Sequence, residues 1–135
     1  MPTFSDAEKA AMQERAREQR EFKKLSGDAQ VSRKISEMNP HDKKIAQGIH
    51  DLVTSIDERL KPRTWYGMPA YYLDGKVVCF FQAGSKFESR YSTFGFQEAA
   101  RLDEGLMFAT SFAVLDFTPE VAEQISKLVR KAVGQ

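Results

Sequence analysis

Apolar positions along this chain change their spacing twice, and the changes mark its elements. Up to about residue 38 the sequence is polar and rich in Glu, Arg, Lys, Gln and Ala, and Phe4, Met12, Phe22 and Leu25 make only a sparse stripe. Ser5-Asp6-Ala7-Glu8 has the capping-box order, in which a serine and an acid three positions on satisfy the free amides of a helix start, so a helix is expected there. Its alternating glutamates and arginines suit a solvated helix supported by pairs one turn apart. Ser26-Gly27-Asp28 breaks that helix, and Val31, Ile35 and Met38 repeat at the spacing of a second, short one. Asn39-Pro40 stops it and opens the next, with Asn39 as cap and Pro40 in the first turn. Ile45, Ile49, Leu52, Val53, Ile56 and Leu60 then form a full apolar stripe, expected to run to about Leu60, where Lys61-Pro62 ends it.

From Thr64 the period becomes strand-like, with β-branched and aromatic residues through Phe94. Arg63 to Phe81 reads as two strands joined at Asp74-Gly75, the pair that a type I′ hairpin turn requires. Gly67 and Pro69 are expected to bend the first of these strands at a bulge or edge. Gly84-Ser85 marks another turn, leading into a third strand, Lys86 to Thr93. Alternation would put Phe87, Ser89 and Tyr91 on one face of it and Lys86, Glu88 and Arg90 on the other. Phe96 to Leu102 reads as a short helix closed by Gly105, and Met107 to Phe117 as further strand. Thr118-Pro119-Glu120 is a strong helix start, followed by the stripe Val121, Ile125, Leu128, Val129 and Ala132. Strands in one block with helices before and after predict an α+β fold. The expected form is two layers: an antiparallel sheet of about five strands, with helices mainly on one face. Residues 1–30 read as a polar helical extension and 31–135 as the folded domain.

Composition narrows the function classes. A chain of 135 residues with 41% hydrophobic and 29% charged residues fits one globular domain. A formal net charge of +1 leaves no large basic field, so a nucleic-acid partner is not expected. The single cysteine, Cys79, excludes an internal disulfide and any multi-thiolate metal site, which suits a reducing compartment. The N-terminus lacks the apolar core of a signal peptide, and no apolar run approaches the ~20 residues of a membrane span. A cytoplasmic location with no membrane partner is the expectation.

The run Thr64-Trp65-Tyr66-Gly67-Met68-Pro69-Ala70-Tyr71, followed by Asp74-Gly75-Lys76, the aromatic strand and Lys86, resembles the signature of the YdhG-like family. The resemblance extends from about Ile35 to Val133. It implies a two-layer α+β fold similar to that of secretion-chaperone-like proteins. Some relatives are described as frataxin-like iron chaperones, so the resemblance also implies iron carriage as an alternative function. No catalytic residues are established for the family, and none are carried over.

The residues themselves favour binding over catalysis. Exposed ferrous iron needs clustered hard ligands. Asp42, Asp51, Asp57, Glu58, His41 and His50 lie on or near one helix, but Lys43, Lys44, Arg59 and Lys61 are interspersed, and no compact three-ligand face emerges. No resident metal or cofactor is therefore expected from the residues. An enzyme is the less favoured class. Cys79 lies mid-strand among Val77, Val78, Phe80 and Phe81, a packing position, and there is no Gly-rich phosphate loop. The expected sheet is unusually aromatic, with Trp65, Tyr66, Tyr71, Tyr72, Phe80, Phe81, Phe87 and Tyr91. Half of these rings can fill a core beneath the helices. The rest are either scattered exposed rings or, in the functional reading, a ligand cleft or a dimer face. The candidate site is therefore Trp65, Tyr66 and Tyr72 for a flat or apolar group, with Lys86 and Arg90 as a basic rim for an anion. Its occupant is expected to be a small molecule or a protein, with the chain itself a monomer or a homodimer.

Overall fold

The computed structural model describes residues 5–135, so Phe4 of the N-terminal stripe lies outside the described residues. The elements are α1 (Asp6–Lys23), α2 (Gly27–Ser36), α3 (Pro40–Ile56), β1 (Lys61–Trp65), β2 (Met68–Leu73), β3 (Lys76–Gln82), β4 (Ser92–Phe96), β5 (Ser111–Val114) and α4 (Pro119–Ala132). A single 3-10 turn, Gly84–Phe87, separates β3 from β4. Each helix starts on a side-chain cap. The Ser5, Ser26, Asn39 and Thr118 oxygens accept the amides of Glu8, Ala29, Asp42 and Val121. Each cap contributes about 1 kcal/mol.

α3 stops at Ile56, short of the expected Leu60, because Asp57 takes an extended conformation (φ −149°, ψ 121°). The Asp57 carboxylate then accepts the Arg59 amide at 2.9 Å and its guanidinium at 2.6 Å, which turns the chain toward β1. Leu60 is still buried.

The sheet has the order β1-β2-β3-β4-β5, with every neighbouring pair antiparallel. Two hairpins use the same turn chemistry. Tyr66 and Gly67 have φ of 50° and 77°, and Asp74 and Gly75 have φ of 51° and 79°. Two successive left-handed residues are what a two-residue hairpin turn with right-twisted strands needs. Gly67 therefore ends a strand; it does not bend one, and Pro69 is the second residue of β2.

The expected third strand, Lys86 to Thr93, forms only from Ser92. The cause is Asp42, buried on α3, whose carboxylate accepts hydrogen bonds from the Ser85 amide and hydroxyl and from the Ser92 hydroxyl. The Gly84 amide donates to Ser92 Oγ at 3.0 Å. This cluster wraps the segment into a turn, and Glu88 closes it in the left-handed region at φ 53°. Lys86 and Arg90 consequently do not share a strand face. The expected helix from Phe96 to Leu102 is likewise absent. Phe96 ends β4, a turn follows in which Ala100 N donates to Gln97 O, and the Arg101 amide then donates to Ala132 O at the end of α4. The expected strand from Met107 to Phe117 shortens to Ser111–Val114.

Residues directly opposite in an antiparallel pair share a face. Tyr71, Cys79 and Phe96 align on one face, as do Phe81, Phe94 and Phe112. These residues pack with Val31 and Ile35 of α2, Ile45, Ile49 and Val53 of α3, and Ile125 and Val129 of α4. α2, α3 and α4 therefore pack on this side of an open, five-stranded α+β sheet. Residue 30, the expected boundary between extension and domain, lies inside α2, and Gln30 is itself buried. No residue of α1 is buried.

Candidate functional site

The register leaves a second sheet face that does not join the core. Trp65 and Met68 oppose one another, Ala70 opposes Phe80 and Phe80 opposes Gly95, and Tyr72 lies on the same side. Rings cover this face. The Trp65 indole packs on Phe80, with centroids 5.3 Å apart, and meets Tyr66 edge-on at 5.0 Å. The Phe80 ring occupies the space over Gly95, where a Cβ would collide with it. Gly95 thus lets the ring approach the strand. Tyr72 is half-buried, and its hydroxyl reaches toward Thr64 O at 3.5 Å. Tyr66 is 83% exposed because its left-handed position at the hairpin tip carries the ring out of the sheet.

Beside these rings is an open cleft of about 960 Å³. Trp65, Leu73, Val77 and Ala99 give it an apolar lining, and the end of α4 at Ala132–Gly134 forms one wall. Its charged groups are mixed: Lys76 and Arg101 against Asp74, Glu98 and Asp103. Nothing in the sequence singles out Arg101, which falls within the short helix expected there. The hydrogen bond from its amide to Ala132 is what brings it to the cleft.

The five candidate residues therefore divide. Trp65, Tyr66 and Tyr72 gather on and beside the outer face. Lys86 lies at the β1–β2 turn, its Nζ 3.3 Å from where a Cβ on Gly67 would be. Arg90 stacks over the Tyr91 ring at 5.3 Å, beside a hollow of about 200 Å³ shared with Asn39, His41 and Ser89. A basic rim on one strand face does not form, since the segment carrying both cations turns around Asp42.

Of the candidate ligands by type, His41, Asp42, His50, Asp51 and Asp57 have structural partners. His50 is buried on α3, with Nε2 3.1 Å from Asp28 Oδ1 and Nδ1 3.0 Å from the Tyr71 hydroxyl. With neutral imidazole, Nε2–H donates to Asp28 and the phenol donates to Nδ1, so the groups are mutually satisfied. The order acid–histidine–hydroxyl looks like a relay to a nucleophile. However, Tyr71 is 0% exposed, and burial above all pushes its phenol well above the ordinary value. No substrate reaches it. Cys79 is likewise fully buried, and desolvation pushes its thiol up. Asp51 accepts the Gln47 amide at 2.9 Å. The Arg59 side chain, hydrogen-bonded to Asp57, holds that carboxyl well below the usual carboxylate range. Among the described residues, no three His, Cys, Asp or Glu side chains converge as a metal site would need. Nor is any helix among them long and apolar enough to cross a membrane.

Compared with known protein families, curated proteins and solved structures, the chain matches none.

Proposed function

We propose that this chain is a small binding protein that receives a flat or apolar group on its outer sheet face. The observation that carries the reading is the face itself. Trp65, Tyr72 and Phe80 stand on the side of the sheet away from the core cluster, and Trp65 also lines an open cleft of about 960 Å³. The cleft offers one aromatic wall, Trp65, with Leu73, Val77 and Ala99 beside it and polar groups around them, and its volume is in the range of small-molecule sites. Stacking on Trp65 would supply the affinity. Lys76 and Arg101, set against Asp74, Glu98 and Asp103, would orient a polar end, and these mixed charges favour a neutral or zwitterionic ligand over a strong anion. Ferrous iron carriage, which the family resemblance also implies, draws less support. Asp42 and Asp57, two of its best ligands by type, are already committed to Ser85, Ser92 and Arg59.

Trp65 is the chain's only tryptophan, so its fluorescence reports on the face directly. Titration with 2-naphthol is expected to quench it saturably, and Phe80→Ala to weaken the effect about tenfold, the scale of losing one stacked ring contact. Sedimentation of the same samples separates ligand capture from self-association. A size increase with protein concentration that blocks quenching would instead make the face a symmetric dimer contact.

A further inference from the structure

We propose a second site, on the helix side of the β1–β2 turn, that takes a monocarboxylate carried on a short apolar stem. It is independent of the outer-face reading. A groove of about 350 Å³ runs between the C-terminal end of α2 and the Tyr66-Gly67 turn. Its apolar lining is Met38, Pro69 and Phe81, with Met68 at the edge beside the turn, and its charged groups are Lys34, Glu37 and Lys86.

Charge decides what the groove can hold. Lys34 lies 3.8 Å from Glu37, so its charge is partly compensated. Lys86 makes no ion pair among the described residues. Two features place its ammonium. The preceding residue, Ser85, is tied through both amide and hydroxyl to the buried Asp42 carboxylate, so the base of the lysine is anchored. Gly67 has no side chain to crowd the ammonium, since a Cβ there would stand 3.3 Å from Nζ. The glycine is needed for its φ of 77°, and its bare Cα leaves room for the Lys86 ammonium beside the turn.

One uncompensated ammonium beside an apolar lining matches one negative charge on an apolar stem. A doubly charged phosphate would meet a single free cation with Glu37 nearby and would leave the lining unused. A volume of about 350 Å³ lies at the small end of ligand sites, which suits a stem of a few carbons. Lys86 is exposed, so the charge contact is modest.

The test is a titration of the full ¹⁵N-labelled chain with sodium hexanoate, followed by amide spectra, with 1-hexanol and inorganic phosphate as parallel probes. Saturable shifts are expected at Gly67, Met68, Ala83 and Ser85, with a Kd on the order of 1 mM. Lys86→Gln should weaken hexanoate about fivefold while leaving hexanol unchanged, the signature of a single charge contact. Lys86 is exposed, and an otherwise unaltered spectrum would show the variant folded. The proposal fails if hexanoate gives no saturable shift by about 20 mM, if it binds no better than hexanol or phosphate, or if Lys86→Gln binds it equally well. It also fails if the shifts map to Trp65 and Phe80, because hexanoate would then be a ligand of the outer face.

Discussion

His50 shows how a residue that looks functional by type is used structurally. Its ring joins α2, α3 and β2 by bonding Asp28 and the Tyr71 hydroxyl. Replacing it with leucine leaves a buried phenol without a partner, so His50→Leu is expected to destabilise the fold by about 1–3 kcal/mol in urea unfolding. Tyr71→Phe in the same chain removes the orphaned hydroxyl, and the double variant should lose less than the sum of the two single ones. Asp57 gives a pH signature. Its folded carboxyl is depressed by Arg59, so it contributes stability above the unfolded value of about 4, and that contribution is lost as pH falls. Asp57→Asn should lower the melting temperature at pH 7 and make the acid-side decline shallower, which a series of melts from pH 7 to below pH 3 would record. In the sequence, His50 and Asp57 are visible as candidate ligands. Their engagement cannot be read there, because the partners of His50 lie at positions 28 and 71, brought together only by packing.

At the level of elements, the turns carry most of the information. Asp74-Gly75 is legible because that pair names its turn type, whereas Tyr66-Gly67 is not, since tyrosine rarely takes positive φ. The fold accepts a strained backbone at Tyr66 and gains a hairpin that brings Trp65 onto the outer face. A Cβ added at Gly75 would have nothing within 4 Å, so Gly75→Ala isolates the backbone cost, roughly 1–2 kcal/mol. Gly67→Ala should cost as much, while the Lys86 ammonium, 3.3 Å from the added carbon, should shift only slightly and hexanoate binding should survive. Urea unfolding of both variants checks the first point and hexanoate titration the second. The segment from Lys86 to Tyr91 misleads because alternating polar and aromatic residues fit a strand and a turn equally well. The deciding group, Asp42, is 43 residues from Ser85. α1 holds no buried residue, so deleting residues 1–20 should cost less than about 1 kcal/mol, whereas Ile35→Ala in α2 should cost about 2–5 kcal/mol.

For the whole molecule, the α+β architecture is readable because two strong helical stripes bracket an alternating block. Those stripes meet as expected: Ile49, Val53, Ile125 and Val129 are buried in one cluster, with Leu52 and Ile56 packed against it. The site is readable only in part. The aromatic residues of the outer face follow from register, but the cations belong to an expected strand that does not form. The cleft depends on a loop crossing to the end of α4 that no local pattern announces. The exposed Leu106 and Met107 on that loop are also unforeseen by any periodicity. Everything proposed for the outer face depends on its capturing a ligand in solution. Amide and indole shift mapping of the labelled chain with 2-naphthol decides this. Saturable shifts should centre on the Trp65 indole, Tyr72, Val77 and Phe80, with the core residues Ile49, Phe94 and Val129 unmoved. Shifts spread through the core, or none at all, would refute ligand capture by this face.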